Sequence, residues 1–288
     1  MGLKLKPIKK RFGAYASGVD LADELSLETV GQIEAAMDRF SVLVWSDCRL
    51  TDDEQLTLAR YFGEVEVSLL SVVRGKGGPK DKSLVPISNV DDGGEMLKRD
   101  GRRLGSQVAN QLWHSDSSFM QSVAKYSLLS AREVPKSGGD TEFADLRAAY
   151  DDLPRTLKVL TEGRIAEHHA LHSRVQLGLK YTDEEMAASK PAYWPLIREH
   201  PTSKRNIIFS PIHIKSIEGM SDPEARMLVN ELIEHATQEK FCIRHKWSQN
   251  DLVMWDNRST LHRGRRYDLS KKRILRRITT MENNIQQL

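Results

Sequence analysis

Residues 111–119 read QLWHSDSSF, and residues 254–266, near the far end of the chain, read MWDNRSTLHRGRR. His114 and Asp116 stand two apart in the first stretch. In extended backbone both side chains then point to one face and can reach a single ion from one strand end. His262 in the second stretch supplies a third donor if the fold brings a distant strand alongside. Two imidazoles and one carboxylate on one face of a ferrous ion leave positions open for a co-substrate and dioxygen, the arrangement of a non-haem iron oxygenase. Taken alone, the triplet reads more readily as a core histidine beside a turn aspartate. A zinc hydrolase would use the same three ligands plus a water.

Around these motifs the chain from Trp113 onward is dominated by short strand-like runs. Residues 124–134 and 141–146 read as strands joined by the turn SGGD, and residues 241–247, 251–256 and 273–280 follow the same pattern. Helices intervene after Asp145, after Pro154 as far as Gly163, and behind Ser221. Earlier, residues 26–40 form an amphipathic helix with Ile33, Met37 and Phe40 on one side, followed by a buried strand, SVLVW. Thr51 and Glu54 have capping-box spacing ahead of a helix that closes at Gly63. Many short strands with helices outside them predict a mostly β fold with flanking helices, a sandwich or jelly roll rather than alternating βα units. No repeat and no clean linker divides the chain, so residues 1–288 are expected to form one domain. Residues 69–105 carry glycine, proline and scattered charge without periodicity, and a loop of that length is expected to act as an active-site lid.

The 288 residues, 39% of them hydrophobic, are enough to bury a sizeable core. No apolar run approaches the roughly 18 residues that cross a bilayer. The basic N-terminus lacks the apolar segment of a secretory signal, and Lys6 stands where a myristoylation motif would need Ser or Thr. Cys48 and Cys242 have no spacing pattern, so neither a disulfide framework nor a thiolate metal site is indicated, and a reducing cytoplasm is expected.

Within residues 271–280, KKRILRRITT, strand alternation puts Arg273, Leu275 and Arg277 on one face and Ile274, Arg276 and Ile278 on the other. Two arginines facing a barrel interior require anions, because a buried unpaired guanidinium is costly. Two small carboxylates would satisfy them through planar two-point contacts, and the Thr141 hydroxyl could add a hydrogen bond to one. The competing reading is a solvated basic stripe or nucleic-acid patch, since eight of the fifteen residues 263–277 are Lys or Arg. The aliphatic alternation and a net charge of only +3 argue against it, and no nucleic-acid partner is expected. Arg263, Arg265 and Arg266 read as structural or surface residues.

WHSD, then SGGDTEF with Thr141 placed 25 after Asp116, then WDNRSTLHRGRRYD with arginines 11 and 15 after His262, together resemble the taurine dioxygenase family of iron(II)- and 2-oxoglutarate-dependent oxygenases. NQLWHSDSSF, LRAAYD, EHATQ and DLVMWDNR extend the likeness over nearly the whole chain. The resemblance implies a double-stranded β-helix, cupin-like, with His114, Asp116 and His262 as catalytic Fe(II) ligands. It implies that Thr141 and Arg273 hold the distal carboxylate of 2-oxoglutarate and that O2 is the second co-substrate. It places Arg277 on the acid group of the primary substrate and Asn110 at the substrate pocket. The motifs look most like the aryloxyacetate-oxidising kind, which hydroxylates a substrate such as 2,4-dichlorophenoxyacetate. Ether cleavage then yields a phenol and glyoxylate, with succinate and CO2 from the co-substrate. A sulfonate or other aryl-acid oxygenase would share the cofactor residues and differ only in the pocket. Ser71 stands where the aryloxyacetate pattern has lysine. His168, His169 and His172 could pair on a metal by spacing but lack a further ligand. His200 and His213 are read as pocket-lining or hydrogen-bonded structural residues, and Trp113 and Trp255 as core. A small-molecule aryloxyalkanoate partner and a homo-oligomer are expected.

Overall fold

The computed structural model describes residues 2–67, 83–99 and 101–282. Strand β1 (Lys4–Lys9) turns back into β2 (Phe12–Ser17), and helix α1 (Leu27–Phe40) leads to β3 (Val42–Trp45) and α2 (Asp52–Arg60). Then come β4 (Val85–Ser88), α3 (Arg102–Val108), the long β5 (Ala124–Glu133) and β6 (Thr141–Asp145). The middle of the chain holds α4 (Leu146–Asp151), α5 (Arg155–Thr161), β7 (Ile165–His168), α6 (His172–Gln176) and α7 (Asp183–Ala188). It continues through β8 (Ala192–Pro195), β9 (Ile197–Glu199), β10 (Asn206–Ile208) and β11 (Ile214–Ile217). Helix α8 (Asp222–Ala236) precedes β12 (Cys242–His245), β13 (Leu252–Asp256), β14 (Thr260–Gly264) and β15 (Ile274–Met281).

Period-two alternation sorts the strands into layers. The larger sheet runs β1-β2-β3-β13-β5-β15-β4, and β12-β6-β14 packs against its inner face. Val42, Val44, Val253 and Trp255 point inward to meet Phe143 and Trp247. Their neighbours Leu43, Trp45, Leu252 and Met254 point outward and are covered by Ile33, Met37 and Phe40 of α1. Ala144 and Leu261 turn the smaller sheet's outer face toward α4 and α8. The result is a double-stranded β-helix with helical cover, held by side chains whose truncation to alanine costs about 2–5 kcal/mol each at fully buried aliphatic positions.

The local signals for helix starts hold. Ser26 accepts from the Thr29 amide, and Thr51 with Glu54, like Ser221 with Glu224, closes a reciprocal capping box. One reading changes inside residues 69–105. Val85–Ser88 is a strand that pairs antiparallel with β15 at the edge of the larger sheet, and α3 begins at Arg102. Four residues, VPIS, are too few to display a period, which is why loop composition dominated the reading. Ser71 and residues 68–82 lie outside the described residues. Among the described residues no helix is long and apolar enough to cross a membrane.

Candidate metal centre

His114 lies in an isolated antiparallel bridge to His262 of β14 rather than in a continuous strand. Each backbone amide of the pair donates to the other's carbonyl, at 3.0 and 2.8 Å. Asp116 follows at a turn whose next residue, Ser117, takes a left-handed φ of 51°. The bridge and the turn, not uninterrupted strand register, therefore aim the triplet's two ligands together. The Ser115 hydroxyl fastens the turn to β14 by donating to the Asn257 and Thr260 carbonyls at 3.1 and 2.7 Å. His114 Nε2 lies 4.0 Å from Asp116 Oδ1, and His262 Nε2 lies 3.7 Å from Asp116 Oδ2. Donor atoms of all three residues fall within 4.8 Å of one another, and all three residues are buried.

The protonation states suit a cation. His114 Nδ1 stands 2.7 Å from the Leu112 carbonyl, an acceptor only, so that nitrogen carries the proton and Nε2 keeps its lone pair for the centre. Burial pushes His114 below its ordinary value and His262 well below, keeping both imidazoles neutral. Burial pushes the Asp116 carboxyl up, but Arg277, the two imidazoles and the Ser127 hydroxyl together hold it below the usual range. Ser127 donates to Asp116 Oδ2 at 2.8 Å and accepts from Asn257 Nδ2 at 2.9 Å. Asn257 Oδ1 in turn accepts from the Asp116 amide and from Trp255 Nε1. Arg277 Nη1 donates to Asp116 Oδ1. Two neutral nitrogens and an ionised oxygen form a donor set that fits a divalent first-row metal.

Two cavities meet at this centre, sharing Ile87, Asn110, His114 and Arg277 in their walls. The first reaches Thr141, Tyr267 and Arg273. Burial pulls the Arg273 guanidinium down to about 10, with Tyr267 and Asp140 opposing the shift. Its Nη2 donates to the Gly139 carbonyl at 3.0 Å, while its Nε is buried without a partner. Gly139 has a φ of 73°, and a Cβ there would lie 2.9 Å from that Nε, so glycine in the SGGD turn admits the arginine. Trp247 Nε1 donates to Thr141 Oγ1 at 2.9 Å, which occupies the hydroxyl's acceptor side and leaves its proton for a ligand. The second cavity reaches Glu66, Phe119, Arg174 and His213. Glu66 accepts from the Ser117 hydroxyl at 2.7 Å, and burial pushes its carboxyl up against the pull of Arg277.

The chain's other noted residues divide. His213 reaches the second cavity, its ring centroid 6.1 Å from that of His114. His200 does not: its Nε2 lies 2.9 Å from Asp256 Oδ2 in a buried network with Arg258, which makes it structural. His168 stacks on Phe209, and Trp113 and Trp255 are core. Arg263 pairs with Glu142 at 2.8 Å, whereas Arg265 also lines the first cavity. Asn257, within MWDNR, had only its place in a quoted motif to mark it. Ser127, Trp247, Glu66 and Arg174 carried no sequence signal, since their importance comes from what faces them.

The fold and this site define a metal-dependent oxygenase class: a double-stranded β-helix presenting two histidines and one carboxylate beside open space. Residues 4–279 match the Taurine catabolism dioxygenase TauD, TfdA family, and the chain belongs to it. It is 47% identical over 286 residues to the alpha-ketoglutarate-dependent 2,4-dichlorophenoxyacetate dioxygenase of Cupriavidus pinatubonensis, covering 99% of this chain and 100% of that one. It is 35% identical over 282 residues to the (S)-phenoxypropionate/alpha-ketoglutarate-dioxygenase of Sphingobium herbicidovorans, covering 94% and 92%. The crystal structure of AAD-2 in complex with Mn(II) and N-oxalylglycine aligns over 100% of both chains with a TM-score of 0.90 and 42% identity.

Proposed function

We propose that this chain is an iron(II)- and 2-oxoglutarate-dependent dioxygenase that hydroxylates an aryloxyacetate such as 2,4-dichlorophenoxyacetate, a step in herbicide breakdown. The products are a phenol and glyoxylate, with succinate and CO2 from the co-substrate. The observation that carries the reading is the convergence of His114, Asp116 and His262 where two cavities meet. The full-length likeness to a 2,4-dichlorophenoxyacetate dioxygenase supports the substrate class. N-oxalylglycine, with which AAD-2 was crystallised, is 2-oxoglutarate with one methylene replaced by NH, which supports the co-substrate.

In this reading His114, Asp116 and His262 hold Fe(II), which supplies, with 2-oxoglutarate and O2, the oxidising power for the hydroxylation. The chain's own work is positioning. Arg273 and Thr141 grip the distal carboxylate of 2-oxoglutarate in the first cavity, using the guanidinium and the hydroxyl proton that Trp247 leaves unused. Arg277 and Asn110, on the wall common to both cavities, bind the acid end and flank of the primary substrate. Anchoring the acid fixes the distance from the centre to the carbon between ether oxygen and carboxylate. Hydroxylation there gives a hemiacetal that collapses to the phenol and glyoxylate. Residues 1–288 act as one domain. The enzyme is cytoplasmic, in keeping with the unpaired Cys48 and Cys242, and a homo-oligomer, as a light-scattering mass would test.

The decisive experiment is anaerobic reconstitution with ferrous iron, followed by oxygen, over a panel of aryloxyacetates, sulfonates and other aryl acids. Stoichiometric phenol, glyoxylate and succinate from an aryloxyacetate is the expected result. Preference for a sulfonate overturns the substrate class. Arg277→Ala is expected to raise the aryloxyacetate constant sharply while uncoupled 2-oxoglutarate turnover stays measurable, and unchanged aryloxyacetate affinity defeats that assignment.

A further inference from the structure

Of the four arginines buried among the described residues, two have carboxylate partners: Arg147 with Asp145 at 3.1 Å and Arg258 with Asp256 at 2.8 Å. The other two, Arg273 and Arg174, close one cavity each. Arg174 comes from α6, in the EHHALHSR stretch whose histidines suggested a metal; the members of that stretch that line the cavity are Ser173 and the arginine. Only 6% of its surface is exposed. Its Nη1 donates to the Ala170 carbonyl at 2.7 Å, and its Nε is buried without a partner. Burial pushes the guanidinium below its ordinary value; the Tyr181 phenol opposes this and Arg277 adds to it, and no carboxylate of the described residues acts on it. A guanidinium kept charged under these conditions needs an anion from outside the chain.

Arg277 is in the opposite situation. It donates to Asp116 and acts on the buried Glu66 carboxyl, so acidic groups of the chain already face it. Arg174 therefore offers an incoming acid a charge that no described carboxylate compensates, in the same cavity as the Arg277 that anchors it, and an anion there also relieves the mutual repulsion of the two guanidinium groups. We infer that Arg174 is a specificity-determining residue of the second cavity, its guanidinium adding a second cationic contact to the substrate carboxylate that Arg277 anchors and so selecting anionic over neutral substrates. The inference rests on the aryloxyacetate reading for the identity of the acid, and on Arg174's own surroundings for the charge.

The test uses the full chain loaded with ferrous iron and 2-oxoglutarate. It compares kcat/KM for 2,4-dichlorophenoxyacetate with that for its neutral amide in wild type, Arg174→Gln and Arg174→Lys. The ratio of the two cancels general damage to folding or to the metal centre. Wild type should favour the acid, Arg174→Gln should lower that preference by about tenfold or more, and Arg174→Lys, which keeps the charge but not the planar fork, should recover part of it. An acid preference unchanged in Arg174→Gln overturns the inference. Wild type inactive on every aryloxyacetate overturns the function reading instead. Arg174 is then judged by the same ratio on whichever anion is turned over, an alkyl sulfonate against its neutral sulfonamide, where an unchanged ratio again overturns it.

Discussion

The two cavities share a wall but differ in construction. The first is built from the sheets: Thr141 opens β6, Leu129 belongs to β5, Arg273 directly precedes β15, and a glycine turn makes room for the guanidinium. Much of the second comes from connections and short helices, with Glu66 after α2, Phe119 in the turn after Asp116, Arg174 on α6 and His213 before β11. Strand-borne groups are held by ladder hydrogen bonds on both sides, whereas a loop can exchange side chains without disturbing the core. The cavity assigned to the common co-substrate is thus the rigid one, and the cavity assigned to the primary substrate is the one open to variation.

Breaking the metal centre where the cavities meet should disable both sides at once. Asp116→Asn is expected to lose bound iron and reduce succinate formation to background, and a variant that keeps its metal content and turnover would remove the triad from its role. Arg273→Leu addresses the first cavity alone. The 2-oxoglutarate constant should rise about 30-fold or more, as for loss of a buried charged partner, with a far smaller change in the aryloxyacetate constant. Equal shifts in both constants would show that the two cavities do not divide the ligands. Trp247→Phe sharpens the same side more gently: loss of one neutral hydrogen bond on Thr141, worth about 1 kcal/mol, should raise the 2-oxoglutarate constant a few-fold. No change would mean that the Thr141 hydroxyl is oriented without the indole.

The last expected effect is on stability rather than turnover, and it lies behind the second cavity. His168 ends β7, six residues before Arg174, and both ring nitrogens are buried without partners. Burial and the nearby Arg198 pull its pKa down to about 3. The unfolded chain takes up this proton as pH falls below about 6.5, while the folded chain refuses it until near the lower value, so stability is lost as pH falls through that window. His168→Leu should make the fall in unfolding free energy between pH 7 and 4.5, followed by urea titration, shallower by up to about 1.4 kcal/mol per pH unit. An identical pH slope in the variant would place the acid sensitivity elsewhere.

The same contrast governs what was legible beforehand. Strand alternation placed Arg273 and Arg277 on one face of residues 271–280, and the structure keeps them there, with Ile278 on the opposite face against α1 and α2. The capping boxes at Thr51 and Ser221 were equally readable, because each depends on residues three apart. The strand Val85–Ser88 was not, because only its partner β15 gives it an identity. Nor was the separation of His200 from His213: the two residue types are the same, and only the fold sends one to Asp256 and the other to the cavity.

By itself the sequence determined the residue types and their local phase: which side chains share a strand face, where helices begin, and that two imidazoles, a carboxylate and two arginines were present at telling intervals. These follow from backbone periods of two and 3.6, which neighbouring residues impose on one another. Only the tertiary structure decided that His114 bridges to His262, that Asn257 and Ser127 lock Asp116, and that Arg174 of α6 faces the same space as Arg277. Those juxtapositions join segments far apart in the chain, and they are set by how apolar layers pack rather than by any local rule.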